Sequence, residues 1–147
     1  MISIKKLGIQ DVEIAKELFA LFQTEDQIPN PEIPSNTRIQ ELLSDNNLHI
    51  LAAFFDHELA GGLTAFQLNM YKSDPVKMFL YEIGVKSGYR RRGIGKKLIE
   101  DLCAFSKQLG AHKMIVPTTR DHTEAIEFYN ATGGRLEPES VILSYSI

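Results

Sequence analysis

Hydrophobic positions along the chain change period twice, and the changes mark its elements. Residues 2–5 read as a short strand. From Asp11, the apolar residues Val12, Ile14, Ala15, Leu18, Phe19 and Phe22 recur at steps of three and four, which predicts an amphipathic helix with a carboxylate at its N-terminal end. Pro29, Pro31 and Pro34 exclude regular structure from the following segment, 24–34. Ser35 or Asn36 then caps a second, short helix with Ile39, Leu42 and Leu43 facing inward. From Leu48 the pattern becomes that of strands. Residues 49–55 and 58–68 are separated by a turn at Asp56-His57, and Gly61-Gly62 points to a bulge or close packing. After a polar loop, 69–76, comes an apolar strand over 78–85. A helix follows, with Ile94, Leu98, Leu102, Phe105 and Leu109 on one face and Gly110 as its left-handed stop. The remainder predicts a strand over 112–116, a helix over 123–132 with Ala125, Ile126 and Tyr129 on one side, and a last strand over 141–145.

Two helices, an antiparallel meander, then strand-helix-strand-helix-strand is the order of a mixed α/β sheet. The right-handed crossover rule makes the strands at 78–85 and 112–116 parallel neighbours. A chain of 147 residues suits a single domain over 1–147 with a substantial core.

Composition narrows the function. Hydrophobic residues are 44% and charged residues 24%, the balance of a soluble globular protein. A net charge of −3 argues against a nucleic-acid binder, despite the run Arg90-Arg91-Arg92, and leaves room for a cationic substrate. The single Cys103 excludes an internal disulfide and fits a reducing cytoplasm. No signal-peptide apolar region and no bilayer-spanning stretch is present, so no membrane role is expected. None of the four histidines has metal-ligand spacing, so no metal is expected.

Candidate chemistry centres on the turn Arg90-Arg91-Arg92-Gly93-Ile94-Gly95, which joins the apolar strand to the helix. The first turn of a helix offers backbone N–H groups without internal partners, and glycines let a diphosphate approach them closely. Arg and Lys beside the loop add full charge. A Walker-type loop fails, because Arg90 stands at its first glycine and Lys97 at its hydroxyl position. The dinucleotide fingerprint also fails, because Leu98 occupies its third small position.

The spacing that fits is Arg90-x-x-Gly93-x-Gly95, which resembles the acetyl-CoA pyrophosphate loop of the GNAT N-acetyltransferases. That family carries Asn-x-x-Ala-x-x-x-Tyr on a later helix. Here His122, Ala125 and Tyr129 stand at those positions, with His in place of Asn. Gly133-Gly134 stands where the family has Gly-Phe. The strands at 51–54 and 81–85 with the loop at 90–95 look most like the aminoglycoside 3-N-acetyltransferases. The resemblance implies the GNAT acyl-CoA N-acyltransferase fold. This is a mixed, mostly antiparallel sheet splayed between its fourth and fifth strands and flanked by about four helices, with the pantetheine arm in the wedge.

Acetyl transfer to an amine needs a deprotonated nucleophile, a polarised thioester and a protonated leaving thiolate. Glu82 is the candidate base. It lies within an apolar strand where a carboxylate is costly unless paired or useful, and alternation places it with Leu80 and Gly84, opposite Tyr81, Ile83 and Val85. It either takes the proton or orients the substrate ammonium. The resemblance makes Tyr129 the acid; without the motif it reads as a core tyrosine. By the same resemblance, Arg90, Arg91, Arg92, Gly93, Ile94, Gly95 and Lys96 hold the diphosphate mainly through backbone N–H groups, and Ile83, Gly84 and Val85 run beside the pantetheine like an added strand. Side chains of Arg91, Arg92, Lys96 or Lys97 either reach the 3′-phosphate or are solvated. His122 either bonds pantetheine or faces water. Cys103 reads as a small buried hydrophobe rather than a nucleophile.

Glu25 and Asp26, with Glu82, are the candidate substrate-binding residues. Asp74, Asp121, Glu124 and Glu139 are further candidates for an acidic rim, or ordinary surface charge. The expected activity is direct transfer of acetyl from acetyl-CoA to a small-molecule amine, by resemblance an aminoglycoside. A polyamine, amino acid or protein amine is the first rival, and a non-catalytic acetyl-CoA-binding domain the second. Family members are often dimers, so a homodimer is one assembly open to this chain, whose oligomeric state the sequence leaves undecided.

Overall fold

The computed structural model describes all 147 residues. Their contacts separate into two compact units, residues 1–117 and 118–147.

The first unit is built on a five-stranded sheet in the order β1-β2-β3-β4-β5. Strands β1 (Ile2–Lys6), β2 (Leu48–Phe55), β3 (Glu58–Asn69) and β4 (Val76–Val85) pair antiparallel, and β5 (Ala111–Ile115) joins β4 in parallel. Helices α1 (Val12–Glu25) and α2 (Asn36–Ser44) cover one face. Leu18, Phe22 and Ile39 pack there with Leu48, Ile50 and Ala52 of β2. Helix α3 (Ile94–Gln108) covers the other face with Leu98 and Leu102 wholly buried. His49, which alternates with Leu48 and Ile50, accordingly meets Phe105 of α3 edge-on at 4.7 Å.

Local chemistry sets the boundaries. Ser35 caps α2, its Oγ accepting from the N–H of Arg38 at 3.1 Å. Asp11 makes no side-chain cap to α1. Its carboxylate instead accepts from the N–H of Gly8 at 2.8 Å and from Lys5 Nζ at 2.6 Å, tying the β1–α1 turn. Gly110 ends α3 at φ 90, in the left-handed region the sequence predicts. Gly62 allows close packing: a Cβ there would stand 2.5 Å from the carbonyl oxygen of Leu51 and 2.6 Å from Leu18 Cδ1.

The second unit holds helix α4 (Thr123–Ala131) and an irregular tail. The strand expected over 141–145 is not formed. Val141, Ile142, Leu143 and Tyr145 are exposed and no strand pairs with them. Strand preference measures fit against neighbours, and these residues have none to fit.

Candidate active site

Two irregularities in β4 shape the site. The first is where its pairing with β5 stops. The parallel ladder runs from Val76↔Ala111 to Phe79↔Ile115 and goes no further. Beyond Phe79 the β5-side edge of β4 has no strand partner, so the two strands part as the resemblance implied.

The second is a bulge. On β3, Thr64 pairs with Glu82 but its neighbour Ala65 pairs with Leu80, leaving Tyr81 as an extra residue. The extra residue reverses the alternation. Leu80 stays buried on the α3 face, opposite Ala65. Glu82 and Gly84 instead turn to the α1 face, and a Cβ on Gly84 would meet Phe22 Cδ1 at 3.0 Å. Tyr81 lies beside Phe79 and Phe66, with ring centroids 6.3 and 5.9 Å away. The expectation that Glu82 shares a face with Leu80 and opposes Tyr81 is therefore corrected. The expectation that it shares a face with Gly84 and opposes Ile83 and Val85 agrees with the register.

That turn delivers Glu82 into a cavity of about 650 Å3 lined also by Phe19, Phe22, Glu32, Ile33 and Arg38. Burial raises the Glu82 pKa from its ordinary value, and the charge of Asp26 raises it further. A half-buried carboxyl whose pKa is raised is a stronger base than a solvated one, which suits it to taking a proton. Glu32 and Arg38 lie outside the sequence-derived set. The Gln23 amide grips the Pro-rich loop as a strand would, accepting from the Glu32 N–H at 2.7 Å and donating to the Glu32 carbonyl at 2.8 Å. A polar residue among the last positions of α1, followed by prolines, was the available signal.

Beyond β4 the chain makes a 3-10 turn, Ser87–Tyr89, and enters the glycine loop. Arg91 and Gly93 have φ of 64 and 86, so the loop twice visits left-handed backbone. Gly93 caps α3, and its carbonyl receives the N–H of Lys97 at 3.0 Å. The N–H groups of Ile94, Gly95 and Lys96 are left without an intrahelical acceptor, at the positive end of the dipole.

The basic side chains are mostly engaged. Arg90 turns back toward the body of the unit, donating from Nε to the Val85 carbonyl at 3.2 Å and from Nη2 to Glu25 at 3.1 Å. Arg92 lies over the rings of Phe55 and Tyr89, at 4.9 and 5.5 Å. Lys97 pairs with Asp101 and Lys96 with Glu100. Of the candidate substrate carboxylates, Asp26 acts on Glu82, whereas Glu25 is bound to the loop through Arg90 and the N–H of Ser87. Cys103 is exposed on α3, against the buried position expected, because it falls outside the Leu98–Leu102 stripe. Its thiol pKa is raised by desolvation, the opposite of an activated thiolate.

In the second unit, His122 occupies the N-cap of α4, is exposed and makes no side-chain cap. Tyr129 is half-buried, packs edge-on to Phe128 at 5.3 Å, and has its pKa raised by burial, which keeps the phenol protonated. Its carbonyl accepts from the N–H of Gly134 at 2.8 Å, and a Cβ on Gly134 would stand 2.9 Å from that oxygen. This close approach accounts for a second glycine after Gly133.

The model of the acetyltransferase (GNAT) family matches residues 15–133. No curated protein shows significant similarity to the chain. Among solved structures, the aminoglycoside acetyltransferase meta-AAC0020 from an uncultured soil metagenomic sample, in complex with sisomicin, is 28% identical with a TM-score of 0.92, over 99% of this chain and 96% of that one. The aminoglycoside acetyltransferase HMB0005, also from an uncultured soil metagenomic sample, is 26% identical with a TM-score of 0.85, over 99% of both chains. AAC(6')-Iy in complex with the bisubstrate analogue CoA-S-monomethyl-acetylneamine shares the fold at 22% identity and a TM-score of 0.79, over 100% of this chain and 99% of that one.

Proposed function

The chain belongs to the GNAT acetyltransferase family, and from that premise we propose that it moves acetyl from acetyl-CoA directly to an amino group of an aminoglycoside-type sugar. The observation that carries this reading is the bulge at Tyr81. It turns a carboxyl of raised pKa into an open cavity beside a β4 edge that β5 has released.

In this reading the diphosphate rests on the N–H groups of Ile94, Gly95 and Lys96, and pantetheine runs along the β4 edge at Ile83, Gly84 and Val85. The amine enters the cavity, where Glu82 removes its proton or passes it to solvent. The neutral nitrogen attacks the thioester carbon, the C–N bond forms, and the C–S bond breaks as the tetrahedral species collapses. Tyr129 is the proposed donor of the proton that the departing sulfur takes up, and the second proton shed by the nitrogen as it becomes an amide leaves to solvent, from which the phenol is restored. Asp26, Glu32 and Glu82 give an ammonium-bearing sugar opposite charge to meet. The acceptor class is supported by the two soil enzymes, which share more than a quarter of their residues with this chain. We further propose that residues 1–147 act as one domain, in the cytoplasm.

The test is thiol release from acetyl-CoA with aminoglycosides, polyamines and peptides offered in parallel. Turnover with aminoglycosides supports the assignment, and turnover with peptides alone refutes the acceptor.

A further inference from the structure

We infer that Glu25 is a positioning residue that sets the coenzyme loop from the end of α1; this rests on the reading of the glycine turn as the diphosphate site. One of its oxygens accepts from the N–H of Ser87 at 2.9 Å, and the other from Arg90 Nη2 at 3.1 Å. Arg90 in turn donates from Nε to the carbonyl of Val85, the last residue of β4, at 3.2 Å. One carboxylate thus fixes both ends of the 3-10 turn that leads into the loop. The Glu25 side chain is 18% exposed and that of Arg90 is 49% exposed, so the carboxylate is the more sheltered partner of the pair.

The segment held this way needs holding. It includes Gly88 and enters left-handed backbone at Arg91 and Gly93, a shape an unrestrained chain adopts rarely. A loop fixed before the ligand arrives loses less entropy when the ligand binds. Glu25 also sits on the last turn of α1, whose Phe22 and Gln23 line the cavity that holds Glu82. The same turn of helix therefore places the wall of the acceptor cavity and the approach to the coenzyme loop. Glu25 thereby leaves the acceptor-binding set and joins the loop.

The experiment measures the CoA dissociation constant by calorimetry, with kcat and both KM values, for the parent, Glu25→Gln, Glu25→Ala, Arg90→Ala and the Glu25→Ala/Arg90→Ala pair. Glu25→Ala is expected to weaken coenzyme binding roughly tenfold, and Glu25→Gln by less because its amide oxygen still receives the Ser87 N–H. The double variant should be no weaker than the Glu25→Ala single, as two groups in one contact are non-additive. In Glu25→Ala the loss should fall on the CoA dissociation constant and the acetyl-CoA KM, and not on the amine KM. Unchanged or tighter CoA binding in Glu25→Ala, or an increase in the amine KM instead, overturns the inference. Gly95→Asp separates this from the underlying reading, because it places a carboxylate against the diphosphate. If Gly95→Asp binds CoA like the parent, the reading and the inference both fail. If Gly95→Asp loses CoA while Glu25→Ala retains it, the inference alone fails.

Discussion

Glu82 stands opposite Thr64 across the sheet, one place out of step with the pairing of Leu80 and Ala65, and that offset decides which face of the sheet carries the carboxyl. Removing Tyr81, the residue that makes the offset, is expected to leave a regular ladder in which Glu82 directly follows Leu80, still opposite Thr64 and still on the α1 face. Turnover should then persist and the fold keep its stability to within about 1 kcal/mol, because the carboxyl stays on the cavity face and no charge enters the core. Activity assays with thermal melts of the Tyr81 deletion check both effects.

Glu82→Gln is expected to lower kcat about a hundredfold, the usual range for a lost general base. The base works deprotonated, so in the parent activity falls as pH drops through the Glu82 pKa, which burial and Asp26 have raised. Asp26→Asn removes the second cause and should move that limb of the pH profile to lower pH. An unmoved limb in Asp26→Asn would separate the titration from Glu82.

Tyr129→Phe keeps the ring against Phe128 and removes only the hydroxyl. A drop in kcat of about a hundredfold or more with an unchanged melting temperature is expected of the acid. A lower melting temperature with kcat retained marks a packing residue instead.

The order and type of the elements through β5 and α4 were legible because each carries its own period or its own punctuation, as with the prolines before α2 and Gly110 after α3. What was not legible depends on distant contacts. A one-residue bulge leaves the apolar run of β4 unchanged, so the face of Glu82 could not be read from it. The partner of Glu25 lies 65 residues away, and nothing near Glu25 announces it. The tail after Glu139 has the composition of a strand but no partner, and composition cannot distinguish the two. The Arg-x-x-Gly-x-Gly spacing was readable, although it did not tell that Arg90 and Arg92 are spent within the protein.

Asp11 offers a stability test independent of the site. The Gly8 N–H, then the Lys5 ammonium, lower its pKa. The stabilisation is complete above the unfolded-state value and is lost as pH falls through the depressed folded one. Asp11→Ala should cost about 2 kcal/mol at neutral pH, and the difference from the parent should shrink in acid. Denaturant unfolding at neutral and acid pH measures it.

Gly62→Ala places a methyl against the Leu51 carbonyl and Leu18. A loss of roughly 2–3 kcal/mol is expected in the same unfolding experiment.

The most direct measurement follows the backbone amide resonances of the isotope-labelled protein as CoA is added. The largest shifts are expected at Gly93, Ile94, Gly95 and Lys96, with smaller ones along Ile83 to Val85. Saturable binding with the shifts elsewhere, or no binding at all, would contradict the account.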